Sequence, residues 1–159
     1  MRILIDIGHP AHVHLFKNMA REMIKKGHEF FFTVREGENQ AVLLEENGFS
    51  YNVIGKNQRG LFRKLLGIFI FSYKIFRIAR RFKPDLFVSH GSMYAGYAAM
   101  LMGKKHIALE DTGNMEQIFF SKPVSDVIIS PESLQVDLGR KHIRYSGFHE
   151  LAYLHPKRF

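Results

Sequence analysis

The residue types with the most potential for chemistry lie in a histidine-rich segment near the amino terminus, Gly8-His9-Pro10-Ala11-His12-Val13-His14. Histidine titrates near neutral pH, so His9 or His12 is a candidate general base that removes a proton from a hydroxyl group. A carboxylate such as Asp111 is a candidate partner that fixes the tautomer of this base. We expect His14 to be a bystander, because it lies one turn into the following helix.

The predicted backbone of the same segment favours the binding of an anion. Gly8 and Pro10 predict a tight turn from a strand into a helix, where free backbone N–H groups and the positive helix end attract a phosphate or a developing oxyanion. Gly8 is therefore a candidate substrate-binding residue. The alternative interpretation is that the histidines only cap this helix or pack against the sheet.

The three histidines also have an interpretation as metal ligands, because neutral imidazole binds zinc, nickel and copper. The His-x-x-His-x-His spacing is compatible with such a site. However, no second histidine cluster at ligand spacing follows along the chain. We therefore expect no metal site.

Two later polar segments, His90-Gly91-Ser92 and Glu110-Asp111-Thr112, each follow a short apolar run. Ser92 has an equally simple alternative role as a helix N-cap. Glu110 and Asp111 are adjacent, so they point to opposite faces of an extended strand end, and only one of them can serve the pocket. The candidates for substrate binding in these segments are His90, Gly91, Ser92, Glu110 and Thr112.

The apolar periodicity alternates between short β-rich runs and longer helical stretches, which is the order of a parallel sheet covered by helices on both faces. The predicted class is α/β, a Rossmann-like three-layer domain with a parallel sheet. Because ligands bind beyond the carboxyl ends of parallel strands, the three polar segments should converge on one edge. Predicted strands cover residues 2–7, 29–34, 51–54, 86–89, 106–109, 127–129 and 143–145, and predicted helices cover 12–26, 38–46, 61–82, 93–102 and 115–120.

Several classes of site have no support in the sequence. Neither Gly-x-Gly-x-x-Gly nor Gly-x-x-x-x-Gly-Lys-[Ser/Thr] is present, which argues against a tightly held dinucleotide and against a nucleoside triphosphate on a Walker loop. Asp-x-Asp is absent too, which disfavours transferases that hold a sugar nucleotide through a metal at that motif. The chain has no cysteine, so no disulfide or thiol nucleophile is available, which suits a cytoplasmic protein.

The helix predicted over residues 61–82 is amphipathic with a basic stripe, and the whole chain carries a formal net charge of +8. Its uncharged run is far shorter than the roughly 20 residues that cross a bilayer. We expect contact with an anionic membrane surface rather than with nucleic acid, since no nucleic-acid motif is present. The alternative is a sheet-covering helix whose arginines only face water. The stripe contains Arg63, Lys74, Arg77 and Arg81, and the predicted apolar side contains Leu61, Leu65, Ile68, Phe69, Ile75, Phe76 and Ala79.

Two further motifs complete a recognisable pattern, Lys83-Pro84-Asp85 and the closing Gly147-Phe148-His149-Glu150-Leu151-Ala152-Tyr153-Leu154-His155-Pro156. Together with the polar strand-end motifs, they resemble an uncharacterised family of GT-B-like proteins. The resemblance runs nearly end to end, and the closing motif is its most specific part. Members are similar in outline to sugar-nucleotide glycosyltransferases and to the non-hydrolysing UDP-GlcNAc 2-epimerases.

This resemblance implies that the chain is the N-terminal half of a GT-B fold. Residues 1–147 then form the Rossmann-like acceptor-side domain, and residues 148–159 form a linker that leads to a C-terminal donor domain. The nucleotide-sugar donor is expected on that domain, fused or separate, and no cofactor is expected in this chain. His149 and Glu150 are expected at the cleft between the domains, and the chain alone is not expected to be active.

The function implied by the resemblance is that of the acceptor-binding half of a glycosyltransferase in surface polysaccharide or glycolipid synthesis. Its acceptor is a sugar or a lipid-linked sugar, and its location is the cytoplasm, peripheral to the inner face of the membrane. One alternative is half of a UDP-GlcNAc 2-epimerase-like enzyme, although this chain has Gly91-Ser92 where the epimerases have an aspartate in a Gly-Asp segment. Another alternative is a non-enzymatic, membrane-associated binding subunit.

Overall fold

The computed structural model describes residues 1–37, 39–56 and 61–156, and only the backbone of residues 61–65. Seven strands form one sheet in which every pairing is parallel. This sheet confirms the predicted α/β class. The strands are β1 (Arg2–Ile7), β2 (Glu29–Glu36), β3 (Tyr51–Lys56), β4 (Leu86–His90), β5 (Lys105–Leu109), β6 (Val127–Pro131) and β7 (His142–Tyr145).

Helices connect the strands and cover both faces of the sheet. Short 3-10 helices at Lys122–Val124 and Gly139–Lys141 complete the connections. The start predicted for the second helix, at residue 38, lies outside the described residues. The α-helices are α1 (Pro10–Lys25), α2 (Gln40–Glu46), α3 (Leu61–Phe82), α4 (Met93–Met102), α5 (Met115–Ser121) and α6 (Leu151–Leu154).

Alternate residues of β1 enter two separate cores. Ile3, Ile5 and Ile7 pack in a core that also contains buried residues of α1 and α2. Leu4 points to the opposite face, where it packs in a core with Phe71 of α3 and residues of α4. A strand that is buried on both faces is expected to be a continuous apolar run. The result is the predicted three-layer arrangement.

The strand order is β3-β2-β1-β4-β5-β6-β7, so the chain changes its direction of progress across the sheet after β3. The strands β2 and β3 extend the sheet on one side of β1, and β4 pairs with its other side. A crevice forms at such a switch point, between the loops that follow the two adjacent strands. The loops after β1, β4 and β5 therefore lie side by side, as predicted.

Most element bounds differ from the sequence prediction by one or two residues, and two of these differences have identifiable reasons. The helix α1 begins two residues earlier, because Pro10 is suited to the first helical turn and His9 serves as the N-cap. His9 Nδ1 accepts a hydrogen bond from Ala11 N at 3.2 Å. The strand β2 is two residues longer, because Arg35 is held against Asp6 of β1 by an ion pair. The predicted bounds of α3 and α4 agree with the structure.

The closing motif folds back onto α1. Asn18 Nδ2 donates a hydrogen bond to Ala152 O at 3.0 Å, and the rings of His14 and Tyr153 lie 5.9 Å apart. The helix α6 was not predicted, because four residues are too few to show a helical period. Residues 157–159 lie outside the described residues, and the role of this segment as a linker stays a prediction.

The helix α3 buries one stripe against the sheet and exposes another. Lys74, Arg77 and Arg81 are exposed as expected, whereas the side chain of Arg63 lies outside the described residues. The predicted apolar side is wrong at Phe69, which is 76% exposed because it is turned away from the stripe that faces the sheet. No helix within the described ranges is both long and apolar enough to cross a bilayer. The buried stripe consists of Gly67, Ile68, Phe71, Ser72, Ile75 and Ala79.

A histidine in β5 is fully buried and has a serine hydroxyl beside each ring nitrogen. His106 Nε2 lies 2.9 Å from Ser89 Oγ, and its Nδ1 lies 3.2 Å from Ser125 Oγ. Burial lowers the pKa of His106 to about 4. The folded protein therefore holds this ring in its neutral form at neutral pH.

We predict that this histidine makes the fold less stable in mild acid. The pKa of His106 is about 4 in the folded protein and 6.5 in the exposed state. The free energy of unfolding is therefore unaffected by this residue above pH 6.5 and falls as the pH drops towards 4. The loss is on the order of 3 kcal/mol. His106→Gln should remove this part of the pH dependence, whereas His28→Gln, before β2, should keep the wild-type slope. Urea unfolding at several pH values measures both, and an unchanged slope in His106→Gln contradicts the prediction.

Candidate functional site

A buried ion pair holds the end of β1 to its neighbours. Asp6 accepts a hydrogen bond from Arg35 Nη2 at 2.7 Å, and the two side chains are 0% and 5% exposed. Thr33 Oγ1 and Ser92 Oγ also donate hydrogen bonds to the Asp6 carboxylate. Ser92 Oγ in addition caps α4 by accepting from Ala95 N at 3.3 Å. The ion pair therefore links β1, β2 and the start of α4.

The guanidinium group of Arg35 lies directly beneath the loop that follows β1. Its Nη1 donates to Ile7 O at 3.2 Å, and its central carbon lies 4.8 Å from the centre of the Tyr94 ring. A Cβ atom at Gly8 would lie only 2.9 Å from Nη1. A side chain at position 8 would displace the guanidinium group, and glycine avoids this by letting the backbone approach Arg35 closely.

The two histidines expected to act as bases both use Nδ1 to accept a backbone hydrogen bond. His12 Nδ1 accepts from Gly8 N at 3.3 Å, and His9 Nδ1 accepts from Ala11 N. A backbone amide only donates, so the single proton of each neutral ring is on Nε2. Burial, followed by repulsion from His90, lowers the pKa of His12 to about 3. In this arrangement His12 presents an N–H donor rather than a proton acceptor.

Asp111 pairs with His90 rather than with the histidines proposed as bases. His90 Nε2 donates to Asp111 Oδ1 at 2.9 Å, and this hydrogen bond lowers the pKa of Asp111. The rings of His12 and His90 are stacked, with centroids 4.5 Å apart. The expected partnership of Asp111 with His9 or His12 is therefore corrected, because the side chain follows β5 and faces the end of the adjacent strand β4.

His149 reaches the same cluster from the closing motif. Its ring lies edge-on to His90 with centroids 5.6 Å apart, and its Nδ1 lies 2.6 Å from the Tyr145 hydroxyl. Burial lowers the pKa of His149. Its Nε2 is buried and has no hydrogen-bond partner among the described residues. Glu150, the next residue, is exposed and borders the same space.

Glu110 braces the loop after β5 from inside the protein. Its Oε1 accepts hydrogen bonds from Thr112 N, Thr112 Oγ1 and Gly113 N at 2.9, 2.6 and 3.1 Å. One of the two adjacent carboxylates is thus structural, as expected. The nearby Gly91 has a φ of 59°, and the Gln117 side chain leaves no room for a Cβ there. The turn after β4 therefore needs glycine.

Two adjoining cavities open at this edge of the sheet, with volumes of about 480 and 290 Å³. A cavity of about 560 Å³ lies elsewhere, between α3 and the β2–β3 side of the sheet. None of the candidate residues on the loops lines this third cavity. The two cavities at the edge share His9, His12, His90 and Thr112.

The structure brings the predicted loop residues together at one edge and leaves the predicted membrane-contact residues apart on α3. Ten of the predicted loop residues line one or both cavities, and Glu110 lies beneath the loop that follows β5. Sequence reasoning missed Asp6, Arg35 and Tyr145. A lone acidic residue inside an apolar strand is a signal for Asp6, because a buried charge needs a partner. The ten are Gly8, His9, His12, His90, Gly91, Ser92, Asp111, Thr112, His149 and Glu150.

Residues 1–157 match the family described as "Protein of unknown function (DUF354)", and the chain belongs to this family. The "Uncharacterized protein MJ0665" of Methanocaldococcus jannaschii is 26% identical over 161 residues, which cover 98% of this chain and 47% of that relative. The chain thus spans about half the length of this curated relative.

The fold is similar to halves of longer sugar-nucleotide enzymes. MurG of Acinetobacter baumannii matches with a TM-score of 0.75 at 15% identity, over 92% of this chain and 46% of MurG. UDP-GlcNAc 2-epimerase of Neisseria meningitidis, solved with UDP-GlcNAc, matches with a TM-score of 0.69 at 15% identity, over 96% of this chain and 48% of the epimerase. At these identities the likeness shows the fold alone, which is a Rossmann-like half of the GT-B type.

We predict that the two charges of the buried ion pair are coupled, so that removing both costs less stability than the sum of removing each one. Asp6→Leu or Arg35→Met leaves one buried charge unpaired, and each should destabilise the fold by about 3–5 kcal/mol. The double variant should lose clearly less than the sum of the two. Lys105→Met breaks the exposed Lys105–Asp126 pair and should cost less than about 1 kcal/mol. Urea unfolding measures all four proteins, and additive losses would mean that the two charges are not coupled.

Proposed function

We propose that this chain is the acceptor-binding half of a GT-B type glycosyltransferase in surface polysaccharide or glycolipid synthesis. The acceptor is a sugar or a lipid-linked sugar. The nucleotide-sugar donor binds to a second domain, which is fused to the chain or supplied as a separate chain. Turnover requires both halves, and it takes place in the cytoplasm at the inner face of the membrane.

One observation carries this proposal, the polar cavity of about 480 Å³ formed by loops that follow β1, β4 and β5. A cavity at the carboxyl ends of parallel strands is where open α/β sheets bind ligands. MurG is about twice as long as the region that it shares with this chain. These facts support a cleft of which this chain forms one wall and a second domain forms the other.

Within this function, His9 and His12 bind oxygen atoms of the acceptor and do not remove its proton. Each ring donates from Nε2, because a backbone amide occupies Nδ1. The N-terminus of α1 lies beside these donors and favours a negatively charged oxygen. The loop thus suits a phosphate or hydroxyl group of the acceptor.

We predict that His12→Asn lowers acceptor-dependent turnover about 100-fold, the effect of losing one well-placed donor. Asparagine still accepts from Gly8 N but has no donor where Nε2 was. His14→Asn, one turn further along α1, is the control and should keep wild-type turnover. The assay joins the chain to its donor-binding half and follows nucleotide release from UDP- and dTDP-sugars with and without membrane lipid acceptors. Equal turnover in His12→Asn and the wild type removes the proposed role of His12.

The alternative, half of a UDP-GlcNAc 2-epimerase-like enzyme, is favoured by one observation. Glu110 Oε2 is buried without a hydrogen-bond partner in the described part of the chain, and a Cβ at Gly91 would lie 3.1 Å from it. A carboxylate oxygen with no partner beside the turn after β4 is placed to accept a hydrogen bond or a proton from a ligand at that turn. The same assay separates the two functions, because an epimerase converts UDP-GlcNAc without any acceptor and a transferase does not.

The outward surface of α3 supports the membrane location. Its cations follow a group of exposed apolar side chains, so one surface combines apolar and basic residues. The helix starts after β3 and ends before β4, so its apolar first half lies nearest the edge with the two cavities. Such a combination is typical of interfacial helices. We define this surface as the α3 surface, which consists of Leu66, Phe69, Ile70, Tyr73, Lys74, Arg77, Arg80 and Arg81.

We predict that the chain sediments with phosphatidylcholine vesicles that contain phosphatidylglycerol and not with pure phosphatidylcholine. Each basic residue near the anionic surface contributes about 1 kcal/mol, so Arg77→Glu with Arg81→Glu should weaken binding at least about 30-fold. Lys26→Glu with Arg140→Glu, which reverses two exposed basic residues outside α3, is the charge-matched control. Unchanged binding by the Arg77/Arg81 variant rules out the α3 surface. Vesicle binding with no turnover in any two-half assembly would favour the non-enzymatic binding subunit.

A further inference from the structure

Three side chains from separate segments converge beside the smaller cavity, namely His90 after β4, Asp111 after β5 and His149 before α6. Each offers one ligand atom, and the three atoms lie within 4.8 Å of one another. We propose that this cluster, the His90–Asp111–His149 site, binds a divalent transition-metal cation. The site is independent of the proposed function, since no role given above depends on a bound metal.

His149 supplies the strongest argument. The residue is 5% exposed, and its Nε2 is fully buried without a hydrogen-bond partner in the described ranges. A buried polar atom without a partner costs on the order of 1–3 kcal/mol, so such atoms are rare in folded proteins unless a ligand satisfies them. A metal ion bound to Nε2 would satisfy this atom.

The other nitrogen of His149 is already prepared for this role. The Tyr145 hydroxyl lies 2.6 Å from Nδ1, and the two rings are nearly parallel with an interplanar angle of 3°. Histidines that bind metals usually donate their second N–H to an oxygen atom, which fixes the ring and the tautomer. Tyr145 is therefore the positioning residue for His149.

His90 and Asp111 supply the remaining two ligands. In the metal-free protein, a proton on His90 Nε2 bridges to Asp111 Oδ1 at 2.9 Å. A cation that binds both atoms takes the place of this proton at Nε2, and His90 stays a neutral imidazole by carrying its proton on Nδ1 instead. Ligand atoms around a tetrahedral zinc ion lie about 3.3 Å apart, so the most distant pair in the cluster closes by at most about 1.5 Å, and the pair at 2.9 Å opens by about 0.4 Å.

The donor set defines the class of metal. Two imidazoles and one carboxylate suit Zn²⁺, Fe²⁺, Co²⁺ and similar ions rather than Ca²⁺ or Mg²⁺, which prefer oxygen atoms alone. Three protein ligands leave at least one coordination position open. Asp111 is 26% exposed and lines the cavity of about 290 Å³, so this position is accessible from that cavity.

The site differs from the metal interpretation considered for the sequence. That interpretation used His9, His12 and His14, which are close along the chain. Two of these rings already use Nδ1 to accept from backbone amides, and the third lies against Tyr153. The three ligands proposed here are separated by 21 and 38 residues, which is why spacing along the chain does not reveal them.

The test uses the 159-residue chain, freed of metal with a chelator. Addition of Co²⁺ should give visible absorption bands with one equivalent bound, and calorimetry should show one Zn²⁺ site. His149→Ala and Asp111→Asn should each abolish the bands and weaken Zn²⁺ binding at least about 10-fold, and Tyr145→Phe should weaken it about 10–100-fold. His142→Ala, which removes a histidine paired with Ser130 far from the site, should bind as the wild type does.

Circular dichroism and thermal unfolding identify any variant that fails to fold. If His149→Ala does not fold, the result for Asp111→Asn is used instead, because this substitution replaces a carboxylate with a group of the same shape. The proposal is overturned if the wild type gives no Co²⁺ bands and no Zn²⁺ heat. Equal binding by wild type, Asp111→Asn and His149→Ala also overturns it, because the ions then bind elsewhere. Loss of binding in His12→Ala alone would assign the metal to the histidine-rich segment instead.

Discussion

The polar edge of this domain depends on one buried interaction, the ion pair between Asp6 and Arg35. Removing two charges from water costs more free energy than their attraction returns, unless further hydrogen bonds complete both groups. Thr33, Ser92 and the carbonyl of Ile7 provide those hydrogen bonds. The ion pair therefore positions these elements as well as stabilising them, because it fixes the ends of β1 and β2 and the start of α4 relative to one another.

The chemistry of the histidines follows from this fixed geometry. With the loop after β1 held against Arg35, the amide of Gly8 points at His12 Nδ1 and sets the tautomer of the ring. His90, at the end of the next strand, pairs with Asp111 and stacks on His12. The edge thus carries hydrogen-bond donors on one side and a cluster of potential metal ligands on the other. Such a surface suits binding and orientation, which is consistent with one wall of a cleft.

Much of the fold was predictable because its signals are local. The alternation of short β-rich runs with longer helical stretches placed the seven strands and the helices α1 to α5 within two residues of their observed bounds. The convergence of the loops followed from the parallel sheet. The pairings within the site were not predictable, since the partner of Asp111 depends on which strands are neighbours. Asp6 with Arg35, and His149 with Tyr145, are likewise decided by tertiary structure.

The burial of individual side chains also defines roles that the sequence pattern leaves open. The helical period identified α3 as amphipathic, but the exposure of Phe69 depends on how the helix is rotated on the sheet. Similarly, adjacency showed that Glu110 and Asp111 serve different faces, but only the structure shows that Glu110 braces the loop. Composition and period therefore defined the layers of this domain, and packing defined the roles of individual side chains.

The most direct test of the central ion pair is nuclear magnetic resonance of the arginine side chains. The account predicts that the guanidinium protons of Arg35 exchange slowly with water at neutral pH and show nuclear Overhauser effects to the Tyr94 ring and to the α-protons of Gly8. Rapid exchange of these protons, with no contact to either residue, would contradict the account.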